Sequence, residues 1–214
     1  MKYFLDMNLP IYFCMPFGHP LEERAKLFVD NKKDSFLLCD YIVSVNLPKW
    51  LKRQKAILFE FNQKIQDSNY DLFSSEQSKI LFPQDKLIVT RLIFGYESSQ
   101  DKKKFIEDVN NIFNLLQARI NYFIKNYIDT VVIPVSQIDF NLKSCLFTWL
   151  SPNDSDAQTL ASAVQEHNNN RLTIITADKK HWTDDLLKEV HNDSTLLKKY
   201  PFLPKIEYLQ NYKP

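Results

Sequence analysis

The sequence predicts a three-layer α/β/α protein with a mainly parallel central sheet, and three observations carry that prediction. Short apolar runs rich in branched residues alternate with amphipathic stretches, the pattern of strands joined by crossover helices. The runs FLLCDYIVSV and LTIIT are almost wholly apolar, as strands covered on both faces must be. Acids stand beside these runs: Asp6 after the first, Asp178 after LTIIT, and Asp156 at the head of a helical stretch. Ligands of open α/β sheets gather at strand ends and helix N-termini of this kind.

The elements follow in order. Residues 2–5 form a first strand, with Asp6-Met7-Asn8 as its exit, and MPFGHP at 15–20 is a turn cluster. LEERAKLFV at 21–29 reads as a short helix, 30–34 as a polar loop and 36–45 as the second strand. Pro48 suits the first turn of a helix running from Lys49 to about Gln66. The stretch 67–86 is rich in Ser, Asp and Gln and includes a loop, while 87–94 fits a strand or a helix equally. Residues 103–127 hold the clearest helix, with Phe105, Val109, Ile112, Phe113, Leu116, Ile120 and Phe123 at helical spacing. Then come a strand at 130–135, a helix at 139–150, a helix at 156–167, a loop at 168–170, a strand at 172–176 and a last strand at 205–209. Residues 1–214 read as one domain with a helical elaboration around 67–127.

Composition narrows the chemistry. With 44% hydrophobic and 25% charged residues the chain has the profile of a folded protein. Two glycines are too few for a glycine-rich phosphate loop or a dinucleotide fingerprint. Cys14, Cys39 and Cys145 are odd in number and widely spaced, which predicts free buried thiols rather than disulfides or a zinc site. The four histidines show no H-E-x-x-H spacing, and no G-x-S-x-G elbow is present. No apolar run approaches the roughly 20 residues needed to cross a bilayer, and an acid and a proline come too early for a signal peptide. A cytoplasmic protein with no membrane partner is expected. A net charge of +1 leaves nucleic-acid binding to local basic faces.

The acids form the candidate site. Asp6 leaves the sheet at the crevice where such folds bind ligands, although an Asx-turn is an equally ordinary role. Asp154-Ser155-Asp156 opens a helix; with Asp154 as the N-cap, Asp156 would stand at the second helical position, and Asp154 is the spare ligand. Asp178 lies 22 residues beyond Asp156, a path of helix, turn and parallel strand that returns the chain to the same end of the sheet. Three carboxylates meeting there call for a hard divalent cation, Mg²⁺ or Mn²⁺. Around them, Asn8 and Thr176 are placed to orient a water or an acid, and Lys179 to meet a phosphate backbone. The basic stretch Lys49, Lys52, Arg53 and Lys55 could grip the same backbone or form a solvated helix face. His181 and Trp182 fit packing roles better than catalytic ones.

LDMNLPIYF, and NDSDAQTLASA followed by IITADKKHW, resemble the two halves of the PIN-domain nuclease pattern. The matched pieces are residues 2–12 and 147–182, about a quarter of the chain. The resemblance implies a PIN-like fold and a Mg²⁺- or Mn²⁺-dependent endoribonuclease acting on RNA through Asp6, Asp156 and Asp178, and it selects Asp156 over Asp154. It also admits a protein partner or inhibitor and an oligomer. The family usually carries a Glu in the helix after the second strand, and that register falls near Lys49 or Trp50, neither of them acidic. Glu60 and Glu97 are the substitute ligands, with mid-strand Asp40 behind them. Glu60 lies three turns further on, roughly 16 Å along the helix. The missing acid makes a catalytically weakened PIN-like module that binds RNA or protein the alternative.

Overall fold

Lys2–Leu5 (β1) lies at the centre of a five-stranded parallel sheet in a computed structural model that describes residues 1–15, 20–31, 35–150 and 153–212. Ser35–Cys39 (β2) and Thr173–Thr176 (β4) flank it, and Thr130–Val132 (β3) and Lys205–Tyr208 (β5) form the edges, giving the order β3-β2-β1-β4-β5. Tyr3 pairs with Phe36 on one side and Thr173 on the other. The two central neighbours of β1 run one residue past it, so that Cys39 and Thr176 stand level with Asp6. The fold is three-layer α/β/α, as the alternation of elements predicts.

Side-chain alternation sorts the two faces. Tyr3 and Phe36 point to the face covered by Pro20–Asn31 (α2), where Phe28 meets the Tyr3 ring edge-on at 5.5 Å. Phe4, Asp6, Cys39 and Thr176 fall on the other face, covered by Asp154–Asn169 (α7). Ala157, Ala161, Ser162 and Ala163 are fully buried there, and these small side chains let α7 lie close against the strands. Burial pushes the Cys39 thiol up to about 11, against hydrogen bonds to Ser162 and Thr159 of α7. Cys14, Cys39 and Cys145 are all free thiols.

The chain divides into two compact units. One comprises Met1–Leu47 and Ile120–Pro214 and holds the sheet. Its further helices are Asn8–Cys14 (α1), Phe140–Trp149 (α6), Asp184–Lys188 (α8) and Ser194–Lys199 (α9). Asp139 caps α6 and also accepts hydrogen bonds from Tyr200 and Lys199, which ties α6 to the end of α9.

The other unit, Pro48–Arg119, is helical. It takes most of Leu47–Gln66 (α3), all of Pro83–Ser98 (α4) and Lys102–Tyr127 (α5) as far as Arg119. Residues 87–94, which fit either state by sequence, are helical because they sit inside α4 behind Pro83 at its first position. Phe61 packs against Tyr96 and Phe105, and Gly95 leaves room for the Phe105 ring, which an added Cβ would meet at 2.9 Å. The expected elaboration at 67–127 overlaps this unit, whose bounds are earlier at both ends.

Two strands are shorter than expected, and the one expected at 130–135 ends at Val132, before a 3₁₀ turn at Val135–Gln137. The second strand, expected to reach Val45, ends at Cys39; helix begins at Asp40, and Ile42–Asn46 is a π-helical turn leading into α3. A buried apolar run reads alike as strand or helix, so periodicity gave no stop signal. The segment Asn8–Cys14, unassigned by sequence, is helical. Of the turn expected at 15–20 and the loop at 30–34, residues 16–19 and 32–34 lie outside the described residues. Among the described residues, no helix is long and apolar enough to cross a membrane.

Candidate active site

The carboxyl end of β1 and β4 brings two polar side chains together. Asp6 follows β1 directly, its backbone N–H donating to the Ile175 carbonyl at 2.9 Å, so the residue is held as a continuation of the ladder. Its Oδ2 accepts from the Thr176 hydroxyl and from the Asn8 side chain, both at 2.8 Å. Asp6 is only 5% exposed. Burial pushes its pKa up to about 7, and the nearby Asp156 charge adds to the rise against the hydrogen bonds from Thr176 and Asn8. Thr176 and Asn8 thus orient the acid.

Asp156 comes from the first turn of α7. The N-cap is Asn153, one residue before the expected Asp154; its side chain accepts from the Asp156 N–H, and its amide donates to Asp156 Oδ2 at 2.7 Å. Asp156 therefore stands at the third helical position and takes part in the cap itself, because Asn153 competes successfully for that role. Burial raises its pKa, with the Asp178 charge reinforcing the rise, while the Trp182 side chain and His181 oppose it. Asp154 turns away to Lys143 at 3.2 Å.

Asp178 closes a turn. Its Oδ1 accepts from the Lys180 and His181 backbone N–H groups and its Oδ2 faces His181 Nδ1, each at 2.9 Å, while Thr176 Oγ1 accepts from its own N–H at 3.0 Å. Burial alone would raise the Asp178 pKa; the His181 and Lys180 donors outweigh it and hold the carboxyl below the usual range. Thr176 links two acids, donating to Asp6 and accepting from Asp178.

The other candidate residues lie elsewhere. Lys179 reaches Asn211 at 2.8 Å and the Tyr208 ring at 5.6 Å. Lys49 is exposed, while Arg53 pairs with Asp85 at 3.1 Å and stacks on Phe82 at 4.6 Å. The Arg53 Nε has no aligned hydrogen bond, so this pair is held by charge rather than by a directed bond. Glu97 is exposed on α4, and Asp40 accepts from the Val135 N–H at 3.1 Å. Glu60 is fully buried and accepts from the Tyr70 hydroxyl, the Phe73 N–H and the Ser75 hydroxyl, all within its own unit. Asn46, not singled out by sequence, is the side chain after β2 that reaches α7: it is buried and donates to Ser155 Oγ at 2.9 Å. The early end of β2 places it there, three residues before the register expected from a longer strand.

The donors suit a hard divalent cation in kind. Among the described residues neither Asp6 nor Asp156 has a Lys or Arg ion-pair partner, and burial raises both pKa values, reinforced by the Asp156 charge at Asp6 and by the Asp178 charge at Asp156. A cation would relieve that charge. Among the described residues, however, no group of three or more His, Cys, Asp or Glu side chains is arranged to hold a metal ion. Asp6 and Asp156 are the right kind of donor for the ion, while the Asp178 carboxylate is engaged by its own turn and by His181.

Fold and site define a class: a parallel α/β protein with electrostatically coupled acids at the carboxyl edge of its sheet. No family model matches the chain, and neither a curated protein nor a solved structure matches it.

Proposed function

We propose that this chain is a metal-dependent ribonuclease. The observation that carries the reading is a row of acids at one end of the sheet: buried Asp6 feels the charge of half-buried Asp156, which in turn feels that of Asp178, and neither Asp6 nor Asp156 has a Lys or Arg ion-pair partner among the described residues. By contrast Asp85 is paired with Arg53 and Asp139 with Lys199, and buried Glu60 is satisfied by the donors of its own loop. Excess negative charge kept at a sheet edge is costly unless a ligand neutralises it. Asp6 and Asp156 would hold Mg²⁺ or Mn²⁺, with Asp178 as the third acid; such an ion lowers the pKa of a bound water and stabilises charge on the departing oxygen. Thr176 and Asn8 fix the Asp6 rotamer. RNA as substrate class rests on the resemblance of residues 2–12 and 147–182 to PIN-domain nucleases.

A second reading, a weakened RNA- or protein-binding module of the same fold, is favoured by one observation. The side chain reaching α7 from the helix after β2 is Asn46, a neutral amide. Cleavage of a mixed RNA pool with Mn²⁺ or Mg²⁺ decides between them. Metal-dependent cleavage lost in Asp6→Asn and Asp178→Asn supports the nuclease; a folded wild type that leaves the pool intact supports the binding module.

A further inference from the structure

β4 and β5 pair as far as Thr176 and Tyr208. Beyond that level the chain curls into the 3₁₀ turn Leu209–Asn211, so the ladder stops one residue short of the Ala177 carbonyl. A side chain takes over there. Gln210 Nε2 donates to the Ala177 carbonyl at 2.5 Å, and the Gln210 carbonyl is itself held by the Arg24 guanidinium of α2.

The Ala177 carbonyl and the Asp178 N–H belong to one planar peptide group. Its N–H donates to Thr176 Oγ1 at 3.0 Å, and that hydroxyl donates to Asp6 Oδ2 at 2.8 Å. Both ends of the peptide are therefore fixed, one by the residue that orients Asp6 and the other by Gln210. Rotating this peptide would move the Asp178 Cα and break the link to Thr176 together. The Lys180 and His181 donors hold the Asp178 carboxylate within its turn, whereas Gln210 holds the turn against the sheet.

The amide is kept at a cost. Gln210 Oε1 is buried and, among the described residues, has no hydrogen-bond partner. An unpaired buried acceptor is unfavourable, and the side chain that carries it is the one whose Nε2 fixes the peptide. We infer that Gln210 is a positioning residue of the acidic site, its side-chain amide holding Asp178 and the Thr176–Asp6 link in place for a divalent cation. This rests on the proposed metal-dependent function.

Calorimetric titration of Mn²⁺ into the full chain tests it, comparing wild type with Gln210→Met and Tyr212→Leu. Methionine matches the length of glutamine without its donor. Tyr212 packs edge-on against Phe28 at 5.3 Å, so Tyr212→Leu loosens the same terminal segment and leaves the Gln210 amide in place. Loss of an outer partner of a metal ligand weakens binding roughly ten- to hundredfold; Gln210→Met should fall about tenfold in Mn²⁺ affinity while Tyr212→Leu keeps the wild-type value. A folded Gln210→Met with wild-type affinity, or an equal loss in both variants, overturns the inference and leaves the nuclease reading standing. A wild type that binds no Mn²⁺ overturns both. Should either variant not fold, the side-chain amide resonances of Gln210 in the wild type decide. They should shift on adding Mg²⁺, and resonances that stay put overturn the assignment.

Discussion

Asp6 and Glu60 are both buried carboxylates, one at the sheet edge and one in the helical unit, and their surroundings are opposite in kind. Glu60 accepts from a tyrosine hydroxyl, a serine hydroxyl and a backbone N–H, the last belonging to Phe73, whose φ of 68° is unfavourable for a side chain of that size. Its carboxylate organises the loop that folds over it. Asp6 accepts from Thr176 and Asn8 on one oxygen, and these with the Met7 backbone do not offset its burial and the charge of Asp156 beside it. A buried acid whose donors suffice is architecture; one left under-compensated next to another acid is a candidate site.

The comparison breaks most visibly in activity. Asp6→Asn should lower metal-dependent RNA cleavage at least about a hundredfold, more than an outer-shell residue costs, whereas Glu60→Gln should leave the rate per folded molecule within a few-fold. Gel-resolved cleavage rates normalised to folded protein check both. Equal losses in the two variants would erase the distinction.

Stability should move with opposite sign. Without divalent cations at pH 7, Asp6→Asn removes a buried charge whose cost is on the order of 4 kcal/mol at 1.36 kcal/mol per pKa unit, and should raise the unfolding free energy. Glu60→Gln places an amide N–H₂ opposite a buried donor and should lower it by about 2 kcal/mol. Urea denaturation in chelator measures the pair, and a stabilising Glu60→Gln would contradict the assignment.

The pH dependence sharpens the same contrast. The folded pKa of Asp6, about 7, lies above its ordinary value of 3.8. The folded state therefore binds the proton more tightly, and the associated stability, full below pH 3.8, is lost as pH rises through about 7. Chelated wild type should weaken across that window. Asp6→Asn should lose most of this slope, and a slope identical in both would assign it elsewhere.

The smallest effect belongs to Asp139. Burial pushes its pKa up, but Lys199, the Leu142 N–H and Tyr200 together bring it down to about 2. The stabilisation is present above pH 3.8 and fades as pH falls toward 2. Asp139→Asn keeps a good N-cap and loses only the charge, so at pH 7 it should cost roughly 1 kcal/mol, held low by the exposure of Lys199. A thermal scan at pH 7 and again near pH 3 should show the gap closing.

Much of this was legible along the chain because the signals are local. Strand-end acids, the small residues of α7 and the helical spacing of α5 follow from neighbours a few positions apart. The errors cluster where a neighbour distant in sequence decides. FLLCDYIVSV carries one unbroken apolar signal, yet its second half is helical, and this shift makes Asn46 rather than Lys49 or Trp50 the side chain facing Ser155. Asn153 and Asp154 are both competent caps, and the choice between them sets the facing of Asp156. Glu60 carries no mark in sequence of the loop that closes over it.

Residue order alone therefore determined the class of fold, the alternation of its elements and the identity of the acids at the ends of β1 and β4, since hydrophobic periodicity and capping act over one or two turns. Tertiary structure alone decided which acids share a field, because burial and repulsion depend on distances that spacing does not specify. It set Asp6 beside Asp156, folded Asp178 onto His181, and drew Glu60 into a loop of its own unit.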